Sequence, residues 1–247
     1  MKVIVMTCAY KEERFIVPWI KHIPSWLDVV ILNTSKPWQG DPEVDLTSEV
    51  AMSHIPSNPM IARLPWPNEE TQRTFGQMVA EAVNYDWVIW LDPDEYLTDD
   101  GWDILLAFLE SAPGDAYVPT MQHTYWKSGY EIDPPEDYKQ IIVTRPSVRF
   151  IDKRVVNSNY GFAPVGLHHF SWARTDEEVW RKITHFSHAH EINAKDWFEN
   201  VWLKWQPNHT NLHPLTPPSL RRAVPTELPP DLFKLSLWPS PVLTRGL

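Results

Sequence analysis

Cysteine is almost absent from the sequence, since Cys8 is the single one among 247 residues. One cysteine can form neither a disulfide within the chain nor a multi-cysteine zinc site. Chains without disulfides are usual in reducing compartments, so we expect a cytoplasmic protein. The apolar run over residues 1–10 is too short for a secretion signal and leads into the charged stretch 11–14.

Long apolar runs and an excess of positive charge are also missing. No stretch approaches the roughly 20 apolar residues of a membrane-spanning helix, so we expect no membrane partner. The net charge of -10 opposes a general polyanion-binding surface, although it leaves room for a local basic groove. Tryptophan, by contrast, is abundant, with 14 residues. Indole faces suit sugar rings or bases, but core packing accounts for most of them.

The first half of the chain alternates strand-like and helix-like segments. The helical spacing of apolar residues predicts helices over 69–83 and 100–110. Apolar runs of strand length occupy 2–8, 28–33, 60–64 and 86–91. This alternation predicts an α/β fold with a doubly wound, mostly parallel sheet and flanking helices, in which ligands bind beyond the carboxyl ends of the strands.

The second half is less regular in its apolar pattern. Strands are predicted near 116–122, 140–144 and 166–170, and helices near 176–186 and 194–205. Beyond residue 207 closely spaced prolines break any long element. We therefore divide the chain into a globular domain, 1–206, and a proline-rich C-terminal tail, 207–247, that is extended or wrapped over the domain.

Three carboxylates, those of Asp92, Asp94 and Glu95, follow directly after the apolar run 86–91. Such a cluster is costly unless hydrogen-bond donors or a hard divalent cation neutralise it. Oxygen ligands suit Mg²⁺ or Mn²⁺ bridging a diphosphate. The alternative is a solvated acidic turn that caps the next helix, and the spacing alone favours neither.

In its wider context the chain resembles the family 2 glycosyltransferases with the GT-A fold. The resemblance spans roughly residues 2 to 205 and is carried by these segments: Ala9-Tyr10-Lys11-Glu12-Glu13, Gln72-Arg73, the strand and turn from Trp87 to Glu95, and Leu167-His168-His169-Phe170-Ser171-Trp172-Ala173-Arg174. It implies a transferase that uses Mn²⁺ or Mg²⁺ and a nucleotide-sugar donor, with a UDP-sugar favoured. Residues 1–98 then form the donor and metal half, and 99–206 the acceptor half.

The same resemblance implies roles for single residues of the acidic turn. Asp94 would bind the metal directly, and Asp92 would contact the donor ribose or the metal through water. Glu95 would lie next to the reacting sugar. His169 would be the third protein ligand, with His168 as the alternative, since a neutral imidazole can bind manganese.

Donor binding is implied for the loop after the first strand and for one arginine. Arg73 would contact the diphosphate through a bidentate guanidinium. The loop residues that approach the nucleobase and ribose in this family are Thr7, Ala9, Tyr10 and Glu13. Side chains that offer contacts to acceptor or donor are Trp126, Trp172 and His188. The cluster of His185, His188, His190 and Glu191 fits no standard zinc spacing.

The base that accepts the acceptor proton is not matched by the family pattern, which leaves inversion or retention open. The carboxylates after the fifth predicted strand are candidates, with Glu131 and Asp133 chosen and Glu136 and Asp137 as neighbours. The acceptor is a saccharide or, as in phage enzymes, a hydroxymethylated DNA base. Two alternatives stay open: a non-catalytic nucleotide- or carbohydrate-binding protein of the same fold, and a nucleotidyltransferase. Nothing in the sequence indicates the oligomeric state.

Overall fold

The computed structural model describes residues 1–54, 60–135, 137–215 and 220–239. The strands are β1 (Val3–Ala9), β2 (Asp28–Thr34), β3 (Met60–Leu64), β4 (Trp87–Trp90), β5 (Glu95–Tyr96), β6 (Ala116–Trp126), β7 (Tyr130–Asp133), β8 (Val143–Thr144), β9 (Phe150–Asp152), β10 (Val155–Val156), β11 (Gly161–Trp172) and β12 (Arg222–Pro225). The helices are α1 (Glu13–His22), α2 (Thr47–His54), α3 (Glu69–Ala82), α4 (Asp99–Leu109), α5 (Asp176–His185), α6 (Ala194–Trp197) and α7 (Pro230–Phe233).

Ten strands form the central sheet, in the order β12-β7-β6-β8-β4-β1-β2-β3, with β11 joined to β6 and β5. The three longest pairings, β6 with β11, β1 with β2 and β2 with β3, are parallel. Shorter antiparallel pairings connect β4, β8, β6 and β7. The predicted α/β class, with a mostly parallel sheet and flanking helices, is confirmed.

The sheet is buried on both faces at β1, β4 and most of β2, which explains the continuous apolar runs of the first half. Val3 and Val5 of β1 pack towards α1 and α4, whereas Ile4 and Met6 pack towards α3. The close approach of α3 requires Gly76, because a Cβ there would lie 2.7 Å from Trp90 Cη2. The bounds of the strands and helices predicted for this half agree with the structure to within one or two residues.

The second half departs more from the predicted pattern. β6 and β11 are longer than predicted, and the strand predicted at 140–144 is paired only over β8. The helix predicted at 194–205 is split, because α6 passes into a π-helical turn, Phe198–Trp202. Paired long strands extend each other through ladder hydrogen bonds, so their ends depend on the partner strand and not on apolar runs alone.

The C-terminal tail adds to the sheet over its described residues. β12 pairs antiparallel with β7, and the side chains of Leu228, Leu232 and Leu237 are buried in the main core. These described residues of the tail therefore pack against the body of the fold. Within the described ranges no helix combines the length and the apolar character needed to cross a bilayer.

Candidate active site

A cavity of about 610 Å³ lies at the carboxyl ends of β1, β2 and β4, next to Cys8, Thr34 and Asp92. β6, β11 and α5 contribute its other walls. Its position is the one at which doubly wound sheets bind ligands, and its size suits a small molecule. The predicted site residues that line it are Tyr10, Asp92, Asp94, His169, Trp172 and His188.

Two hydrogen bonds between Asp92 and Glu95 stabilise the acidic turn after β4. The N–H of Glu95 donates to the carbonyl of Asp92 at 2.9 Å, and the N–H of Asp92 donates to Glu95 Oε2 at 2.8 Å. The antiparallel pairing of β5 with β11 sets His169 opposite Glu95, and the N–H of Phe170 donates to the carbonyl of Asp94 at 2.7 Å. This pairing brings an imidazole from far along the chain to the turn.

Asp94 is the most heavily neutralised carboxylate of the cavity. Its Oδ2 accepts hydrogen bonds from Arg174 Nη2 at 2.6 Å and from Lys182 Nζ at 3.0 Å, and its Oδ1 lies 3.6 Å from His169 Nε2. Burial favours the neutral carboxyl group, but Lys182, Arg174 and His169 outweigh it and hold the pKa of Asp94 well below its ordinary value. Asp94 is therefore ionised, as a direct metal ligand has to be.

Asp92 and Glu95 are neutralised by two other arginines. Arg73 Nη2 donates to Asp92 Oδ1 at 2.9 Å, and Arg154 Nη1 donates to Glu95 Oε1 at 2.6 Å and to Asp92 Oδ2 at 3.3 Å. Despite burial, Arg73 and Arg154 lower the pKa of Asp92, whereas burial raises the pKa of Glu95. The side chain of Arg154 is itself buried next to the turn.

Glu12 lines the cavity, although the sequence pattern indicates no role for it. Both of its carboxylate oxygens accept from Arg174 Nη2, at 3.0 and 3.1 Å. Burial raises the pKa of Glu12 to about 7, against the lowering effect of Arg174. The segments that carry the family resemblance contain both residues, but their contact joins positions 162 apart and has no local sequence signal.

Several predicted donor residues lie behind the cavity wall and do not line it. Thr7 and Ala9 are buried in β1, and Arg73 lies beneath Asp92. Glu13 Oε1 accepts the N–H of Leu46 at 2.9 Å, which holds the loop before α2. These residues therefore support the cavity, while Tyr10 of the same loop borders it.

The predicted base candidates do not line the cavity. Glu131 Oε1 lies 2.7 Å from His123 Nδ1, and Glu131 Oε2 accepts from Thr226 Oγ1 at 3.2 Å. Asp133 is exposed at the end of β7. Asp137 forms an exposed ion pair with Arg221 at 2.7 Å, and Glu136 lies outside the described residues.

The other predicted contact residues divide in the same way. His188 borders the cavity, where its Nδ1 lies 2.7 Å from Lys153 Nζ and 2.8 Å from Glu191 Oε1. Trp126 packs in an aromatic cluster away from the cavity. His168, the alternative metal ligand, lies with its Nδ1 2.8 Å from the hydroxyl of Tyr125 and does not line the cavity.

The donor atoms at Asp94 and His169 fit a divalent cation in kind. A carboxylate oxygen and an imidazole nitrogen suit Mn²⁺, and magnesium-type ions commonly use one or two protein ligands together with phosphate oxygens. Asp92 is not close enough to form a three-residue group with this pair. Across the described ranges, one group of three His, Cys, Asp or Glu side chains has its ligand atoms within 4.8 Å of one another, and it consists of His22, Asp99 and Asp231. The pair Asp94 and His169 is thus the better metal-binding candidate in the cavity.

No protein-family model and no curated protein matches the sequence. Solved structures do match: S. aureus TarS 1-349 in complex with UDP is 13% identical over 85% of this chain and 74% of that chain, with a TM-score of 0.47. A putative nucleotide-diphospho-sugar transferase from Desulfovibrio desulfuricans G20 is 11% identical over 76% and 90%, with a TM-score of 0.43.

Another match is glucosyl-3-phosphoglycerate synthase from Mycobacterium tuberculosis in complex with Mn²⁺, UDP-glucose and glycerol 3-phosphate. It is 17% identical over 50% of this chain and 44% of that chain, with a TM-score of 0.36, so the chain spans less than half of the synthase. At identities under 25% and TM-scores under 0.5, these matches describe a partial likeness in the arrangement of the chain in space.

Proposed function

We propose that this protein is a glycosyltransferase that moves a sugar from a nucleotide-diphosphate donor, a UDP-sugar, to an acceptor hydroxyl. The observation that carries the proposal is the proximity of Asp94 and His169 in a cavity beyond the strand ends, where Asp94 Oδ1 lies 3.6 Å from His169 Nε2. The family resemblance assigns the metal to these same two residues. A solvated acidic turn, the alternative, does not explain why a buried carboxylate and a distant histidine share one cavity.

In this proposal the chain binds the donor along two walls of the cavity. Tyr10, Thr34 and Trp38 line the side next to β1 and β2, where the nucleoside binds. Lys182 and Arg174 also line the cavity and attract the diphosphate. Asp94 and His169 would hold the Mn²⁺ or Mg²⁺ ion, which when bound would supply Lewis-acid stabilisation of negative charge on the diphosphate.

Glu12 is our candidate for the proton acceptor, in place of Glu131 and Asp133. Its carboxylate borders the cavity, and its pKa of about 7 suits a base that works near neutral pH. Arg174 bonds to both of its oxygens and thus fixes its position. The acceptor is a saccharide hydroxyl or the hydroxymethyl group of a modified DNA base.

The test is a thermal-shift screen of UDP-sugars with and without Mn²⁺, because a ligand that binds the folded state raises its stability by mass action. We expect a donor-dependent rise that is larger with Mn²⁺. Asp94→Ala should abolish the manganese-dependent part, whereas the control Asp103→Asn, at an exposed position of α4, should retain it. A full manganese response in Asp94→Ala would refute the metal assignment.

Turnover is tested with a labelled donor offered to free saccharides and to hydroxymethylated DNA. Transfer of label to either acceptor class identifies it. A non-catalytic nucleotide-binding protein is the second candidate, favoured by the position of Glu131 and Asp133 outside the cavity. Donor binding without transfer of label, and without metal-dependent hydrolysis of the donor, would favour that candidate over the enzyme.

A further inference from the structure

Asp94 Oδ2 is held by two cations of different mobility. Arg174 is 6% exposed and bonds to both Glu12 and Asp94, so its guanidinium is fixed between two carboxylates. Lys182 reaches the same oxygen at 3.0 Å from α5, with 20% of its side chain exposed. A lysine has a flexible four-carbon stem and an ammonium without directional preference. Lys182 is therefore the partner of Asp94 that can move.

The face of α5 that carries Lys182 borders the cavity. Glu178, Arg181, Lys182 and His185 recur at helical spacing and all line it. Arg181 Nε lies 3.1 Å from Glu43, and His185 Nε2 lies 3.8 Å from the same carboxylate. Thus Arg181 and His185 are engaged with the loop before α2, whereas Lys182 is directed to the predicted metal ligand.

We propose that Lys182 leaves Asp94 for the diphosphate when the donor binds, and that this exchange couples donor binding to metal binding. The inference rests on the proposed function and deepens it. While the ammonium group of Lys182 is bound to Asp94, the carboxylate is partly neutralised and a positive charge lies next to it. Both lower its affinity for a divalent cation. A diphosphate carries more negative charge than Asp94 and therefore attracts Lys182. When Lys182 leaves, the carboxylate of Asp94 becomes accessible to the metal.

This coupling is reciprocal, because the factor by which the nucleotide raises metal affinity equals the factor by which the metal raises nucleotide affinity. Without a nucleotide, Lys182 keeps Asp94 neutralised in place of the metal. Replacing Lys182 by an uncharged residue should therefore have two opposite effects. Metal affinity in the absence of nucleotide should rise, and nucleotide affinity should fall.

The experiment measures free Mn²⁺ by electron paramagnetic resonance during titration of wild type, Lys182→Met and Lys182→Gln, with and without UDP. In wild type we expect UDP to tighten Mn²⁺ binding about tenfold or more, within the usual range of allosteric coupling. In both variants Mn²⁺ alone should bind about tenfold more tightly than to wild type, and the enhancement by UDP should be at least about threefold smaller than in wild type, the remainder being due to direct contact between Mn²⁺ and the diphosphate. Calorimetry with UDP alone should show about tenfold weaker binding to both variants.

Lys195→Gln is the control, since it removes a cation that is 75% exposed on α6 and does not line the cavity. It should keep the wild-type coupling, and the melting temperature of each variant without ligand verifies folding. Wild-type manganese affinity and undiminished enhancement by UDP in both Lys182 variants would overturn the inference while leaving the proposed function intact. If neither Mn²⁺ nor UDP binds the wild type, the proposed function fails as well.

Discussion

The two halves of the chain bring opposite charges to the acidic turn. Residues 1–98 supply Glu12, Asp92 and Asp94, together with the cation of Arg73 at the turn, whereas Arg154, Arg174 and Lys182 come from the second half. Either half alone would leave like charges close together, which is costly at buried positions. The balance of the site is therefore a property of the assembled fold, and a ligand that adds charge must change it.

The halves also differ in how they are packed. The first half is a parallel sheet between helices, with β1 buried along its whole length. The second half relies on a separate cluster of indole rings, formed by Trp126, Trp172, Trp197 and Trp202. Trp172 borders the cavity and belongs to this cluster, so the packing of the second half positions its cations.

Breaking the indole cluster should have the largest effect. Trp202 is fully buried, its ring lies 5.0 Å from that of Trp126, and its Nε1 donates to Asp176 Oδ1 at 2.8 Å. Trp202→Ala should lower the free energy of unfolding by about 3–5 kcal/mol, measured by urea denaturation. Trp26 is 70% exposed, so Trp26→Ala should change the free energy of unfolding by under about 0.5 kcal/mol. Equal losses in the two variants would contradict a structural role for the cluster.

The second largest effect is expected at Glu12 of the first half, which is paired with Arg174 of the second half. Because the pKa of Glu12 is raised to about 7, its basic carboxylate form predominates only above that pH. The rate of sugar transfer should therefore rise with pH through about 7 and then level off. Glu12→Gln should lose this rise and about 100-fold in rate at high pH, measured as kcat/KM over about pH 5.5 to 9.

The matched control for that experiment is Glu177→Gln, whose side chain is 85% exposed on α5. It should keep the wild-type rate and pH profile. A Glu12→Gln variant that retains the pH rise would assign the titrating base to another residue and remove Glu12 from the mechanism.

A smaller effect is expected where α3 packs on the sheet of the first half. A Cβ at Gly76 would lie 2.7 Å from Trp90 Cη2 and 2.8 Å from Met6 Sδ. Gly76→Ala should cost about 1–3 kcal/mol of unfolding free energy through overpacking, even though alanine favours helices. Gly166→Ala, whose nearest atom would be His123 Nε2 at 3.5 Å, should cost less in the same denaturation assay. A stabilised Gly76→Ala would mean that α3 has room to move.

The smallest effect is expected at the predicted base Glu131. Its carboxylate is engaged by His123 and Thr226 at the pairing of β7 with β12, outside the cavity. Glu131→Gln should therefore leave the transfer rate within about twofold, while the loss of its charge-assisted hydrogen bond costs about 1 kcal/mol of stability. A rate loss as large as that expected for Glu12→Gln would restore Glu131 as the base.

Much of the first half was predictable because burial on both faces leaves a continuous apolar record in β1, β2 and β4. The short β8 and the π-helical turn at Phe198–Trp202 leave no comparable record, since their form depends on neighbouring strands and on the indole cluster. The acidic turn was identified by its position after a buried strand. The pairing of its carboxylates with particular cations was not, because these are single residues separated from it by 19 to 88 positions.

The sequence by itself determined the alternating α/β order, the place of Asp92 and Asp94 after a buried strand, and the family resemblance. These are local properties, carried by hydrophobic periodicity and by short segments. Only the tertiary structure decided that Lys182 and Arg174 share Asp94, that Glu12 borders the cavity, and that Glu131 does not. The physical reason is that charge pairing and burial depend on distance in space, which strand pairing and the packing of α5 set for residues far apart in the chain.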